Sequence, residues 1–169
     1  MSFEQAKAKL TIGSLDDSTT VSAQYNPKEL QVDQNVPWKK PEAATKTGSQ
    51  SSGGGGGNPL EVEFTGAEGR SMTIEMLFDG YEGGSGRSVN VTAEVAKLTR
   101  LATVIDPESK DPKKRRPHHC VISWGARGLP KFECVIESLS TKYSMFSSEG
   151  EPLRATCTVK LKEAKMKSN

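Results

Sequence analysis

Between Cys120 and Leu161 the chain alternates apolar and polar residues in three successive runs. The last run is the clearest: Leu153, Ala155, Cys157, Val159 and Leu161 are interleaved with Arg154, Thr156, Thr158 and Lys160. A period of two marks a strand with one buried and one wet face. In the middle run Phe132, Cys134 and Ile136 share a face, while alternation places Val135 and Leu139 on the other face with Glu133 and Glu137. The stretch from Phe132 to Phe146 has no Gly or Pro and far exceeds the usual strand of ~5–6 residues. With CVISW before it and short turns between, the three runs predict an antiparallel meander. A long strand that is partly apolar on both faces predicts a hairpin projecting beyond one compact core. Val135, Leu139, Tyr143, Met145 and Phe146 are its candidate contact residues for assembly.

Upstream, Leu10 with Ile12 and Thr20–Tyr25 read as two short strands joined by GSLDDST, whose Asp and Ser side chains bond nearby backbone. Pro27 ends the second, and Leu30 with Val32 predicts a short edge strand. Pro37 and Pro41 flank Trp38, so no regular element is expected there. Pro41–Pro59 changes character: it is rich in Gly, Ser and Thr, holds no large apolar residue and contains five consecutive glycines. Such a segment buries too little to offset its ordering entropy, which predicts a flexible loop over 41–58. It lacks the Gly-Lys-Ser/Thr ending and following helix of a phosphate-cradling loop. Leu60, Val62 and Phe64 predict another strand, and Met72, Ile74, Met76 and Phe78 a further one, stopped by Asp79-Gly80.

One helix is expected. Val91, Val95, Leu98, Ala102 and Ile105 form a single apolar stripe at helical spacing, with Asn90 or Thr92 as cap and Asp106-Pro107 as terminator. The stripe predicts packing on a sheet. Four adjacent cations follow, Lys113, Lys114, Arg115 and Arg116, whose mutual repulsion predicts an exposed, solvated loop. A nucleic-acid patch is the competing reading, but the run has no interleaved aromatics for stacking.

Composition narrows the picture. The 169 residues predict one domain, 1–169, and 23 Lys+Arg against 21 Asp+Glu give a net charge of +2, which points to no polyanionic partner. No run of ~18 apolar residues is present, so no membrane insertion by the chain itself is expected. MSFEQAKAKL lacks the apolar core of a signal peptide, which predicts synthesis in the cytoplasm without Sec-dependent export. The three cysteines each fall in a strand-like run, where they read as reduced, buried small residues. His118, His119 and Cys120 are the one metal-like cluster; no CxxC or HxxxH partner completes it, so no metal or cofactor is expected. No nucleophile elbow, HExxH or dinucleotide fingerprint occurs, and no catalytic residue is assigned.

Taken in order, Tyr25-Asn26-Pro27, Trp38, Asn58-Pro59-Leu60, Met76-Leu77-Phe78-Asp79 with Tyr81, Arg116-Pro117, Val121–Gly125, the Phe132–Leu139 strand and Gly150–Ala155 form a recognisable set. From Tyr25 to Leu161 that set resembles the tube-type proteins of contractile injection systems, the phage-tail-like particles of bacteria. Within the group it most resembles the baseplate-hub adaptor that joins the inner tube to the central spike. The resemblance implies a mainly β (α+β) fold, a split antiparallel β-barrel with one packed amphipathic helix and long hairpins. It also implies a six-membered ring of identical copies, with inner tube protein on one side and spike or hub protein on the other, within an assembled particle. Adaptors of this kind often carry a C-terminal peptidoglycan-binding LysM module. Because the sequence ends in a basic tail, 162–169, that module is expected to be absent, which leaves an inner-tube or tube-initiator subunit as the alternative. A nucleic-acid module using Lys113–Arg116 and a ligand-binding barrel stand as readings from other classes.

Overall fold

The computed structural model describes residues 8–40, 62–66, 68–81, 89–129 and 131–165. The loop expected over 41–58 lies outside them. Nine strands and one helix are present among the described residues: β1 Leu10–Ser14, β2 Thr20–Ser22, β3 Gln31–Asp33, β4 Trp38–Lys39, β5 Glu63–Phe64, β6 Ser71–Asp79, α1 Val91–Ala102, β7 Cys120–Trp124, β8 Phe132–Phe146 and β9 Pro152–Glu163. Seven strands form one antiparallel sheet in the order β2-β1-β7-β8-β9-β6-β3, and β4 and β5 form a separate ribbon. The fold is therefore mainly β with a single helix. Among the described residues no helix is long and apolar enough to cross a membrane.

The alternation seen in the sequence fixes which sheet face is buried. Met72, Ile74, Met76 and Phe78 of β6 line up with Leu161, Val159, Cys157 and Ala155 of β9, and all eight are buried. Leu10, Ile12, Val21, Cys120, Ile122, Phe132, Cys134 and Ile136 extend the same surface across the sheet. Helix α1 covers it with Val91, Val95, Leu98 and Leu101, touching β2, β6, β8 and β9. Burying an apolar face between helix and sheet is the chief favourable term in such a two-layer fold.

Strand pairing leaves the sheet open, with β2 and β3 as its two edges. Its curl nevertheless brings the end of β2 to the end of β6. Gln24 Nε2 donates to the carbonyl of Asp79 at 2.8 Å, and the Asp79 N–H donates to Gln24 Oε1 at 2.7 Å. One side chain thus satisfies both main-chain groups of a residue at a sheet end that ladder pairing leaves unmet.

Three expectations change. The helix stops at Ala102, so Ile105 is not on its stripe, and Leu101 supplies the buried position instead. Asn90 Oδ1 accepts from the Ala93 N–H at 3.0 Å, as expected of the cap. At the other end the β-branched run Thr103-Val104-Ile105 goes extended, because Val104 bridges Pro117 and the Ile105 N–H donates to the carbonyl of Arg116. Trp38 does belong to a regular element: β4 pairs with β5, and Pro37, lacking only a donor, uses its carbonyl to accept from Thr65 N–H at 3.2 Å. Finally, β9 runs through Glu163, so Lys162 and Glu163 belong to the sheet rather than to a tail.

Candidate assembly surfaces

The long hairpin exists, but it carries a β-bulge. Ile136 pairs with Leu161 and Ser138 with Lys160, leaving Glu137 as an extra residue on β8. One extra residue flips every later side chain to the opposite face. Leu139 consequently lies across from Val159 and packs, half-buried, against the core. Thr141 follows it, with its Oγ1 3.8 Å from Cys157 Sγ. The expectation that Leu139 shares a face with Val135 is therefore corrected. Val135, opposite Lys162, stays half-buried on the face away from the helix.

Past Leu139 the hairpin outruns the core. Tyr143 is 43% exposed, Met145 42% and Phe146 59%. Tyr143 pairs with Ala155 on the helix side, whereas Phe146 pairs with Pro152 on the other, so the tip is apolar on both sides. Met145 between them adopts φ 54°, a left-handed conformation uncommon for a residue with a side chain. The turn beyond closes with Ser147 N–H donating to the Glu151 carbonyl and Gly150, at φ 84°, donating back to Ser147. Glycine is suited to that φ because it has no Cβ to clash.

A second apolar surface escaped the sequence reading. In the β4–β5 ribbon Trp38 and Phe64 face one another, ring centroids 5.5 Å apart and tilted by 56°. Continuing the alternation one step places Val36 and Val62 on the same side. All four are exposed, from 43% at Val36 to 57% at Trp38. The alternation of Val62 and Phe64 hinted at a strand, but nothing local showed that its partner would be the segment after Pro37.

The sheet face away from the helix is largely polar. Across β8, β9 and β6 it carries Ser138, Ser140, Lys142 and Ser144, then Arg154, Thr156, Thr158 and Lys160, then Ser71, Thr73 and Glu75, with Val135 and Leu77, and Phe146 with Pro152 at the tip, as apolar exceptions. At one end Asp79, almost wholly buried, receives Arg154 Nε at 2.9 Å and the Tyr81 N–H at 2.9 Å. At the other, Arg70 donates to Glu163 at 2.8 and 3.1 Å and lies 5.3 Å from the Phe132 ring centroid. Those hydrogen bonds hold the Glu163 carboxyl down at about 2, from an ordinary 4.5.

The basic run divides. Lys113, Lys114 and Arg115 are exposed in the connection between α1 and β7. Arg116 is half-buried, and its two Nη atoms donate to the two carboxylate oxygens of Asp16 at 2.9 and 3.0 Å. Asp16 also accepts from the His119 N–H at 2.8 Å, and its pKa is lowered chiefly by the Arg116 hydrogen bond. Next to it Asp17 meets Arg100 of the helix at 3.0 Å, and Ser14 Oγ lies 2.9 Å from Nδ1 of the buried His118. The β1–β2 turn thus clasps the end of the helix and the connection after it.

His118 and the three cysteines are buried. Burial pushes the thiols of Cys120 and Cys134 up to about 12, and lowers the pKa of His119. Among the described residues no group of three His, Cys, Asp or Glu side chains is placed to hold a metal ion.

Compared with known proteins, residues 5–169 match the family model for contractile injection system tube proteins. No curated protein matches the chain.

Proposed function

Since the chain belongs to the contractile injection system tube protein family, we propose that it is a structural subunit whose copies assemble into a six-membered ring, with the polar sheet face lining the channel and the β8–β9 tip making contacts between subunits. The observation that carries this reading is the two-sided apolar tip, Tyr143, Met145 and Phe146, held beyond the core on strands too long for one subunit to cover. Isolated, such a tip is an aggregation liability; buried by a neighbour, it is a contact. The face turned away from the helix supports the channel role. It is wide and rich in Ser and Thr, so it stays wetted and offers little apolar surface to a passing cargo.

Within the particle we place the ring at the baseplate hub, between inner tube and spike, on the strength of the ordered motifs from Tyr25 to Ala155. The family's description as tube proteins favours a second reading, a subunit of the inner tube itself. Electron microscopy of the purified protein separates these. Single rings that bind spike protein support the hub position, and long stacks formed by the protein alone support the tube subunit. A protein that stays monomeric at all concentrations tested, or that binds duplex DNA at physiological salt, overturns the assembly reading.

A further inference from the structure

The tip and the ribbon stand at opposite ends of the same sheet. The ribbon joins the sheet where β3 and β6 end at Asp33 and Ser71, while the tip lies past the Asp79–Arg154 pair at the far end of β6. Nine residues of β6 between them correspond to a separation on the order of 25 Å at the usual rise per residue. One copy cannot bring its own two patches together across a packed sheet, but two copies can.

We propose that the Trp38–Phe64 ribbon of one copy is the docking surface for the β8–β9 tip of the next, an inference that rests on the assembly reading above. Three observations support it. First, the surfaces match in kind: the ribbon offers a one-sided apolar face of two aromatics and two valines, and the tip offers the exposed Phe146 and Met145 to insert against it. Clustered aromatics of this sort are typical anchors of protein contacts. Second, their charges oppose. Lys40 adjoins the ribbon's apolar face and Lys39 lies across from Glu63, while the turn at the tip carries Glu149 and Glu151 and no cation. Glu68, nearer the sheet, is held by Asn35. Third, the patches are different and lie on one chain, so each bound copy leaves one free tip and one free ribbon. That head-to-tail pairing repeats and closes into a ring when the rotation allows.

Cysteine pairing tests this on the full chain. The double variant Val36→Cys with Ser148→Cys, which keeps the aromatic anchors and is assembled and treated with a mild thiol oxidant, is expected to give a ladder of cross-linked multimers on a non-reducing gel. Each single variant alone gives no ladder, and a mixture of the two singles gives the mixed dimer. The native thiols do not interfere, being buried and pushed up in pKa. A second measurement uses charge: Lys40→Glu is expected to raise the concentration needed for assembly several-fold, and adding Glu149→Lys and Glu151→Lys to restore it. Rings seen by microscopy without any ladder, or a cross-link within single chains, overturn the pairing while leaving the assembly reading intact. Absence of rings or tubes from the unmodified protein removes both.

Discussion

Arg116 and Asp16, a hundred residues apart in the chain, meet in a two-pronged ion pair with contacts of 2.9 and 3.0 Å. Arg116 belongs by sequence to a solvated run of cations, yet it alone of the four turns inward to the β1–β2 turn. Paired planar groups of this kind are stronger than single surface contacts, because two parallel charge-assisted hydrogen bonds form in one fixed geometry. Arg116→Ser is therefore expected to cost about 1 kcal/mol, since the solvent-accessible Asp16 carboxylate keeps the His119 N–H. The triple change of Lys113, Lys114 and Arg115 to Ser is expected to stay within about 0.5 kcal/mol of the parent. Urea unfolding midpoints of the two variants make the comparison.

Acid should weaken the Arg70–Glu163 link in a defined window. The folded pKa of Glu163, about 2, lies below its ordinary 4.5. A depressed carboxylate contributes stability that is fully present above the unfolded value and is lost as pH falls through the folded one. The stability difference between the parent and Glu163→Gln should thus be constant near neutrality and shrink between pH 4.5 and 2. A difference that grows on acidification would contradict the assignment.

Leu139 now reads as a residue of the subunit's own core margin. Leu139→Ala is expected to lower subunit stability by about 2 kcal/mol, the low end for an apolar truncation because the side chain is only half-buried. Phe146→Ser, at an exposed tip position, should leave the subunit's unfolding midpoint nearly unchanged and reduce assembly. Denaturant melts set beside sedimentation of the same variants separate the two effects.

The bulge rests on one residue. Deleting Glu137 places Ile136 directly before Ser138, whose partners Leu161 and Lys160 are already consecutive, so the ladder becomes regular and Leu139 stays across from Val159 on the core face. The deletion should therefore lie close to Glu137→Ala in stability, since the side chain lost in both is exposed and every ladder partner beyond the bulge is kept. A melting temperature far below that of Glu137→Ala would show that the strand beyond Ile136 depends on the bulge itself.

The cysteines should be silent in the native protein. With Cys120 and Cys134 pushed up to about 12 and all three thiols buried, thiolate is scarce and shielded. Iodoacetamide at pH 8 is expected to leave the folded chain unmodified and to label all three thiols in urea, as read by mass spectrometry.

The sequence by itself determined the strands of the main sheet, the single helix and its cap, and the core faces of β6 and β9. These depend on local periodicity, which is written residue by residue: Met72 to Phe78 and Leu153 to Leu161 each report their own buried side. The family resemblance was legible for the same reason, as an ordered set of short motifs. Tertiary structure decided what depends on two distant segments meeting. The bulge at Glu137 follows from how β8 is registered against β9, and no count along β8 reveals it. The ribbon exists because the segment after Pro37 finds Phe64 as a partner, and the helix ends early because Val104 and Ile105 pair with Arg116 and Pro117. Arg116, identical in type to its neighbour Arg115, is distinguished only by the carboxylate that the β1–β2 turn brings to it. A pattern records what a residue prefers, whereas an ion pair, a bulge or an exposed patch is a property of what the fold sets beside it.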